Sequence, residues 1–327
     1  MSPADAISVV TGAGGFIGGH LVRALLDEGR AVRAVDIKPA DRWHQRFEGA
    51  DNRRLDLRER AACEEAVDGA HTVFNLASDM GGMGFIARHK ARCMLSVIIN
   101  THLLEASVDH GVDRFFFSSS ACVYPLARQA SASLAPLREE DAYPADPEDG
   151  YGWEKLFSER MCRHFTEDFG LATRVARFHN VYGPFGEWTG GREKAPAAIC
   201  RKVAEADLSG FDTIEVWGDG EQTRSFTWID DCIHGTRLIT DSDVSEPLNV
   251  GSAELITINQ LVDLVCEIAG VELKRRHVVD EPQGVRGRNS DNERIRRVLG
   301  WEPATPLATG LEATYRWIRD QVAAQRG

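Results

Sequence analysis

Tyr151 and Lys155 form the first pair of residues in this sequence whose types and spacing suggest chemistry. They stand four positions apart in the stretch YGWEK, so on a helix their side chains share one face about a turn apart. An ammonium group beside a phenol lowers the tyrosine pKa from its usual value of about 10. Such a tyrosine can take a hydroxyl proton as hydride leaves, and Ser120 can hydrogen-bond that hydroxyl. Taken alone, a Tyr/Lys pair at this spacing is more often a surface pair.

Cys122 is the second candidate for chemistry. It follows Ser120 by two positions, after the apolar run in RFFFSSS (114–120). A thiol has a usual pKa of about 8.5, closer to neutrality than a serine hydroxyl, and can act as acid or base. A free cysteine is more often a small buried core residue. Residue types alone leave both interpretations open.

The stretch TGAGGFIG predicts a phosphate-binding turn. It places Gly12, Gly15 and Gly18 between a predicted strand and a predicted helix, where glycine lets the backbone approach a pyrophosphate. Asp36 ends the next strand, at the spacing where a carboxylate accepts from ribose hydroxyls and would repel a 2′-phosphate. The pattern therefore predicts NAD rather than NADP. Asp56, after a predicted third strand, is expected either to face the adenine or to be a solvated helix cap.

These residues need a scaffold, and the sequence predicts one of the α/β class. The strands are expected at 7–12, 31–37, 71–77, 114–120 and 172–178, then at 214–218 and 225–229; the helices are expected at 16–29, 94–111, 151–168, 258–270 and 310–325. The first five strands are nearly continuous apolar runs, as in sheets buried on both faces. We therefore predict a Rossmann-type doubly wound parallel sheet with a smaller C-terminal α/β substrate domain.

The alternation of strands and helices breaks after residue 178. The segment HNVYGPFGEWTGGREKAP (179–196) is rich in Gly and Pro and reads as a long functional loop. Residues 1–178 are expected to form the cofactor-binding domain, with a later return segment near 225–250. Residues 179–327 are expected to form mainly the substrate domain.

Composition narrows the classes of partner. The net charge of −12 argues against a nucleic-acid binder, which needs clustered Lys and Arg. The seven cysteines are dispersed without a CxxC, which favours reduced thiols in a cytoplasmic protein over disulfides or a metal site. The first predicted strand begins almost at once and no apolar run is long enough to span a membrane, so neither a signal peptide nor an anchor is expected.

The glycine turn, Asp36, Ser120, Tyr151 and Lys155 together resemble the extended short-chain dehydrogenase/reductase superfamily, over nearly the whole chain. The resemblance implies bound NAD and usually a nucleotide-sugar substrate. It also implies further cofactor contacts at the turn and at the end of a later strand: Phe16, Ile17 and Leu76.

Two arginine-bearing segments, WGDGEQTRSF and GVRGRNSDN, resemble the nucleotide-diphosphate-binding segments of that superfamily. Arg224, with Arg286 or Arg288, is expected to clamp the pyrophosphate through charge-assisted, often bidentate bonds. The alternative is that these arginines form structural ion pairs.

Four longer strings, NLASDMGGMGFI, SSSACVYP, RFHNVYGPFG and GGREKAPAA, together resemble the GDP-mannose 3,5-epimerase family. That family oxidises carbon 4 of the sugar with NAD⁺, inverts carbons 5 and 3 through enolates, and returns the hydride. The resemblance implies Cys122 and Lys194 as its acid–base pair. It also implies substrate contacts at Gly81, Ser120, Ala121, Tyr151, Asn180, Glu193, Ala195, Lys202, Gln222, Arg224 and Arg288. The segment 126–150 matches less distinctively, and no site residue is expected from it.

The chemistry of such a reaction explains why a cysteine would be useful. A ketone at carbon 4 acidifies the C–H bonds at carbons 3 and 5, and inversion removes a proton from one face and delivers another to the opposite face. Two acid–base groups must therefore flank the ring. Cys122 suits one role, and Lys194 suits the other because burial or nearby cations would lower its pKa. Which of the two is the base stays open.

Three rival functions share parts of this pattern. A sugar 4-epimerase needs only the tyrosine, serine and lysine. A 4,6-dehydratase needs an acidic residue near Cys122, and SSSACVYP contains none. An NAD-sensing regulator would be expected to lose Tyr151 or Lys155. The sequence also leaves open the nucleotide base, and whether the product is GDP-L-gulose, GDP-L-galactose or both.

A homodimer is expected from the helices predicted at 94–111 and 151–168. They carry apolar residues on more than one face, which suggests an intermolecular helix bundle. The residues concerned include Ile98, Leu103, Leu104, Phe157 and Met161.

Overall fold

The computed structural model describes residues 6–326 of the chain. The strands are β1 Ile7–Thr11, β2 Val32–Asp36, β3 Asp51–Arg54, β4 Ala70–Asn75, β5 Arg114–Ser120, β6 Ala172–Phe178, β7 Val181–Tyr182, β8 Thr213–Trp217, β9 Thr223–Ser225, β10 Thr227–Trp228, β11 Leu248–Val250, β12 Leu255–Thr257, β13 Lys274–Val278 and β14 Gly287–Arg288. The helices are α1 Phe16–Asp27, α2 Arg60–Val67, α3 Met83–Arg88, α4 Lys90–Met94, α5 Ser96–Asp109, α6 Tyr151–Phe169, α7 Ala195–Ser209, α8 Ile229–Asp241, α9 Ile258–Ala269, α10 Glu293–Leu299 and α11 Leu307–Ala324. Within residues 6–326, no helix combines the length and apolar character needed to cross a bilayer.

The main sheet has seven parallel strands in the order β11-β6-β5-β4-β1-β2-β3. Helices α1 and α8 pack on one face, while α2, α5 and α6 cover the other. Apolar side chains from both faces are fully buried, which is why these strands read as continuous apolar runs. The predicted Rossmann-type doubly wound sheet is confirmed. Its winding reverses between β1 and β4, which is where such sheets bind ligands beyond the strand ends.

A second, smaller hydrophobic core lies among α7, α9 and α11, with β8 along its edge. The amphipathic pattern of α9 places Leu261, Val262 and Val265 in this core, and Leu311 and Ile318 of α11 meet them. The chain passes back to the main sheet between these elements, because α8 packs on α1 and β11 pairs with β6. The paired strands β7 and β10 contribute side chains to both cores.

The predicted helix at 94–111 begins later, at Ser96, and is preceded by the separate short helix α4. Leu103 and Leu104 are fully buried in the core on the sheet, so their assignment to an intermolecular surface is wrong. The physical reason is that α5 lies between α2 and α6 and must bury more than one side within its own chain. On α6, by contrast, Trp153 and Phe157 remain 43% and 57% exposed.

Candidate active site

A pocket opens where the strand ends of the main sheet face the smaller core. Its lining includes most of the substrate contacts expected from the sequence: Gly81, Ser120, Cys122, Tyr151, Asn180, Glu193, Lys194, Ala195, Lys202, Gln222, Arg224 and Arg288. Ala121 is buried between Ser120 and Cys122 in a single 3₁₀ turn after β5. Residues that are as far apart in the sequence as Gly81 and Arg288 therefore share one cavity.

Tyr151 occupies the first turn of α6, and its phenol is buried beside the end of β5. Burial raises the pKa of Tyr151 well above its usual value, and the nearby Cys122 and Glu154 add to that effect. Ser120 acts in the opposite direction, because hydrogen bonding to its hydroxyl favours the phenolate. In this arrangement Tyr151 is a neutral phenol.

Lys155 is buried behind Tyr151, and its ammonium points elsewhere. Nζ lies 4.6 Å from the centroid of the Phe117 ring and 3.7 Å from Glu154 Oε2, against 5.6 Å to the centroid of the Tyr151 ring. Glu154 thus offsets the charge that was expected to act on the phenol. The prediction that Lys155 lowers the tyrosine pKa is wrong for this arrangement, although the two side chains do share one helix face.

The first strand-to-helix turn has the shape of a phosphate cradle. Gly12 adopts a φ of +71°, and a Cβ there would lie 2.9 Å from the carbonyl oxygen of Leu76. A Cβ on Gly18 would lie 2.1 Å from the carbonyl oxygen of Gly12, so the turn closes tightly only with glycine. Phe16 and Ile17 then open α1, whose free N–H groups face the turn. The turn fits the pyrophosphate of NAD.

Asp36 lies at the end of β2, next to this turn. Its carboxylate accepts hydrogen bonds from the backbone N–H of Gly14 at 3.0 Å and of Lys38 at 2.9 Å. These bonds fix a carboxylate where ribose hydroxyls of NAD can donate to it. Asp56 instead accepts hydrogen bonds from the backbone N–H and the side chain of Arg58. The N-cap residue of α2 is Glu59, so Asp56 is not the helix cap that was the alternative interpretation.

Cys122 lies at the bottom of the pocket and is 6% exposed. Its Sγ accepts a hydrogen bond from Arg288 Nη1 at 3.5 Å. Burial raises the pKa of the Cys122 thiol, and Glu148 raises it further, while Arg288 and Ser120 lower it by less. The thiol is therefore the favoured form at neutral pH.

Glu148 is a site residue that the sequence interpretation missed. It belongs to the segment 126–150, from which no site residue was expected, and no acidic residue was expected near Cys122. Its carboxylate forms a buried ion pair with Arg288, directly beside that thiol. Burial alone would raise the pKa of Glu148, but Arg288 and then the thiol lower it overall. Its place three residues before Tyr151, at the entry to α6, is the one sequence signal that points to it.

Lys194 stands just before α7 on the opposite loop and is partly buried. Burial lowers the pKa of Lys194 from its usual value, as expected, while Cys122 acts in the opposite direction. The amine is thereby brought closer to the range in which it exchanges protons at neutral pH.

The loop that carries Lys194 is locked to the glycine-rich loop around Gly81. A Cβ on Gly82 would lie 2.3 Å from the carbonyl oxygen of Glu193, and the Gly82 N–H donates to the Arg192 carbonyl at 2.9 Å. Arg192 Nη1 also donates to Asp79 Oδ1 at 2.8 Å. These contacts fix the position of the Lys194 backbone relative to the pocket. The glycines of the DMGGMG string are needed because two backbones meet there.

Glu193 and Ala195 support the same loop from either side of Lys194. Glu193 Oε2 accepts from the backbone N–H of Gly191 at 2.7 Å, and Oε1 accepts from Arg201 at 3.2 Å. Ala195 is the first residue of α7. Glu193 therefore shapes the turn through its own chain and lines the pocket at the same time.

The three arginines expected at a pyrophosphate have different environments. Arg224 is 9% exposed and donates only to backbone carbonyls, and burial together with Arg288 lowers its pKa to about 9. Arg288 also lines the pocket, paired with Glu148. Arg286 lies in an exposed ion pair with Asp219, at 2.8 Å. The charge of Arg224, which forms no ion pair within residues 6–326, is the most favourable for an incoming phosphate.

The far end of the pocket combines an aromatic surface with polar groups. Lys202 Nζ donates to the carbonyl of Glu215 at 2.9 Å and lies 5.8 Å from the centroid of the Trp217 ring. Gln222 Nε2 donates to the Trp217 carbonyl at 3.0 Å. Asn180, at a left-handed φ of +44°, hydrogen-bonds the backbone of β9. This end suits a flat ring with polar edges.

The comparisons with known proteins agree with this geometry. The family model for the NAD dependent epimerase/dehydratase family, which describes its sequences, matches residues 8–251 of this chain. The GDP-mannose 3,5-epimerase 1 of Oryza sativa subsp. japonica is 46% identical over 318 residues, which are 97% of this chain and 82% of that protein. The UDP-glucose 4-epimerase of Thermotoga maritima, solved with UDP-glucose, has a TM-score of 0.87 at 26% identity and covers 97% of this chain and 99% of its own. MoeE5 in complex with UDP-glucose and NAD has a TM-score of 0.81 at 28% identity, with the same coverage.

Proposed function

Because the chain belongs to the NAD dependent epimerase/dehydratase family, we propose that it is an NAD-dependent GDP-mannose 3,5-epimerase. The observation that carries the proposal is that Cys122 and Lys194 line one pocket with Tyr151 and Ser120. A hydride-transfer site alone accounts for Tyr151 and Ser120. Cys122 and Lys194 add the acid and the base that inversion at carbons 3 and 5 requires.

The hydride step depends on Tyr151 and Ser120. NAD⁺, when bound, supplies the hydride acceptor and a positively charged nicotinamide ring. Ser120 hydrogen-bonds the sugar hydroxyl at carbon 4, and Tyr151 removes the proton of that hydroxyl. Since burial keeps Tyr151 protonated in the arrangement described above, a cation near the phenol is needed before it acts as a base.

The inversion steps depend on Cys122 and Lys194. One group removes the acidified proton at carbon 5 or 3, and the other delivers a proton to the opposite face. The thiol lies on the sheet side of the pocket and the amine on the loop side, in different elements. Inversion at carbon 5 alone gives GDP-L-gulose, and inversion at both carbons gives GDP-L-galactose.

The nucleotide part of the substrate occupies the other end of the pocket. Arg224 binds the pyrophosphate, with Arg288 at the boundary to the sugar. Trp217 and Lys202 line the place of the base. The choice of GDP and mannose rests on the 46% identity to the rice enzyme.

The presence of Glu148 favours a rival function, that of a 4,6-dehydratase, because such an enzyme needs an acid near carbon 6. An acid that protonates a leaving hydroxyl must itself carry a proton. The ion pair with Arg288 lowers the pKa of Glu148 overall, which makes this carboxyl a poor donor. The epimerase assignment is therefore preferred.

Incubation with GDP-mannose in D₂O tests the function. We expect deuterium by NMR at each inverted carbon, at carbon 5 in GDP-L-gulose and at carbons 3 and 5 in GDP-L-galactose, because each inversion delivers a solvent-derived proton. Co-purified NAD, detected by absorbance and mass, is expected as well. A product that has lost water, or a sugar without deuterium at either carbon, contradicts the proposal.

The protein is also proposed to be a homodimer through α5 and α6. Trp153 and Phe157 are exposed on α6, and Met94 and Leu95 are exposed just before α5, so an apolar patch remains on this side. Light scattering at micromolar protein is expected to give twice the chain mass of 36.1 kDa. Replacing Phe157 with Glu should shift the population toward monomer. A wild-type monomer contradicts the proposal.

A cytoplasmic location is proposed because the cysteines form no disulfides among residues 6–326. All seven are free and buried. Thiols in that state are typical of a reducing compartment.

A further inference from the structure

Glu148 is fixed beside Cys122 by the main chain. It is 6% exposed, and its backbone N–H donates to the carbonyl of Cys122 at 3.1 Å. A Cβ on Gly152 would lie 2.3 Å from that same carbonyl, so the first turn of α6 packs closely against Cys122. The backbone therefore holds the Glu148 side chain close to the Cys122 thiol.

One guanidinium joins the two side chains. Arg288 donates through Nη2 to Glu148 Oε1 and through Nη1 to Cys122 Sγ, and its Nε donates to Gln129 Oε1 at 2.7 Å. Groups bound to the two terminal nitrogens of a planar guanidinium lie side by side. Among residues 6–326, Glu148 Oε2 has no hydrogen-bond partner of good geometry. The neighbouring thiol is the donor that this buried oxygen can use.

Charged and titratable groups surround Cys122: Cys93 on α4, Glu148 before α6, Tyr151 on α6, Lys194 before α7, Arg224 on β9 and Arg288 on β14. Glu148 is the anionic member of this set. Because Arg288 is paired with it, the positive charge nearest the thiol is offset. Burial, followed by Glu148, raises the pKa of Cys122, and burial lowers the pKa of Lys194.

We propose that Glu148 is a positioning residue for the acid–base pair, whose carboxylate, held by Arg288, keeps the proton on Cys122 Sγ and orients it. The inference rests on the proposed function and adds the resting state of one member of its acid–base pair: a thiol at Cys122. Without this carboxylate, Arg288 faces the sulfur alone, and the Cys122 thiol loses its proton more readily. Glu148 therefore decides which member of the pair begins as the acid.

Glu148→Gln tests the proposal, because it removes the charge and keeps the shape. Alkylation of Cys122 by iodoacetamide is followed over a graded pH series without substrate, with peptide mass spectrometry to separate the seven cysteines. In Glu148→Gln, the pH midpoint of Cys122 alkylation should fall by about one pH unit or more, so that alkylation at neutral pH is about tenfold faster. In the wild type, the midpoint should lie above the free-cysteine value of about 8.5.

Glu159→Gln is the matched control. Glu159 is also buried, at 5% exposure, and pairs with Arg177 at 2.7 Å away from the pocket. Its loss should destabilise the fold and leave the Cys122 profile unchanged. The proposal is overturned if the pH profile of Cys122 alkylation is the same in Glu148→Gln as in the wild type. A wild-type midpoint at or below the free-cysteine value overturns it even where the variant fails to fold.

A second readout uses the sugar. In Glu148→Gln, the alkaline limb of the pH profile for epimer formation should move to lower pH, because Cys122 loses its proton earlier. The alkylation test uses no sugar. A wild type that does not act on GDP-mannose contradicts the proposed function and leaves the alkylation result to decide the role of Glu148.

Discussion

Replacing Tyr151 with phenylalanine is expected to abolish net conversion of GDP-mannose. General acid–base groups contribute about 10²–10⁴-fold to the step they serve. Here every later step requires the ketone, so the whole loss falls on product formation. Neither epimer nor bound NADH absorbance should appear when substrate is added. Substrate binding should remain, because Phe keeps the ring that lines the pocket.

Tyr182→Phe is the matched control for that variant. Tyr182 is also buried, and its hydroxyl donates to the carbonyl of Leu307 at 3.1 Å, away from the sugar end. Loss of that bond should cost about 1 kcal/mol of stability and leave turnover intact. Turnover near wild type in a folded Tyr151→Phe protein would show that the hydride step has been assigned to the wrong residue.

Loss of Cys122 or Lys194 is expected to separate oxidation from inversion. Oxidation depends on Tyr151 and Ser120, so Cys122→Ala should still form bound NADH on GDP-mannose and yet release no epimer. Lys194→Ala should behave in the same way, with at most residual deuterium at a carbon that Cys122 reaches alone. Absorbance of bound NADH and NMR of the sugar, measured on the same sample, distinguish the two steps.

Cys122→Ser should be nearly as damaged as the alanine variant, because a hydroxyl is a far weaker acid than a thiol. A purely structural cysteine predicts the opposite: a cost of about 1–3 kcal/mol in stability and retained activity. Cys93→Ser supplies that comparison, since Cys93 is fully buried in the same apolar cluster as Cys122 and Tyr151. Full epimerase activity in a folded Cys122→Ser protein rules out the catalytic role.

The parts of this protein that are local in sequence could be predicted well. Strands β5 and β6 have the predicted bounds, because continuous apolar runs between turn residues define a strand buried on both faces. The cofactor turn follows from glycines whose Cβ atoms would strike the neighbouring backbone. The shared face of Tyr151 and Lys155 follows from helical spacing. In each case the determining contacts lie within one element or one turn.

The electrostatics of the site could not be predicted in this way. The four-residue spacing is correct, yet burial, with Cys122 and Glu154, raises the pKa of Tyr151, and the Lys155 ammonium pairs with Glu154. A pKa depends on burial and on every charge within a few ångströms, and motif spacing specifies neither.

Tertiary packing also selected the neighbours of the acid–base pair. Arg288 reaches Cys122 across 166 positions, and Glu148 enters from a segment without a distinctive motif. Of the two arginines that the sequence left open, Arg288 lies in the pocket, and Arg286, two residues earlier, pairs with Asp219 in a partly exposed position. Alternation along a strand does not separate the two arginines, because positions i and i+2 face the same side. Arg286 lies before β14, and the pairing of β14 with β9 sets Arg288 opposite Arg224, which also lines the pocket. The sequence by itself determined which side chains can exchange protons; the folded chain alone decided which of them carry a proton at rest, since that depends on groups brought together from distant segments.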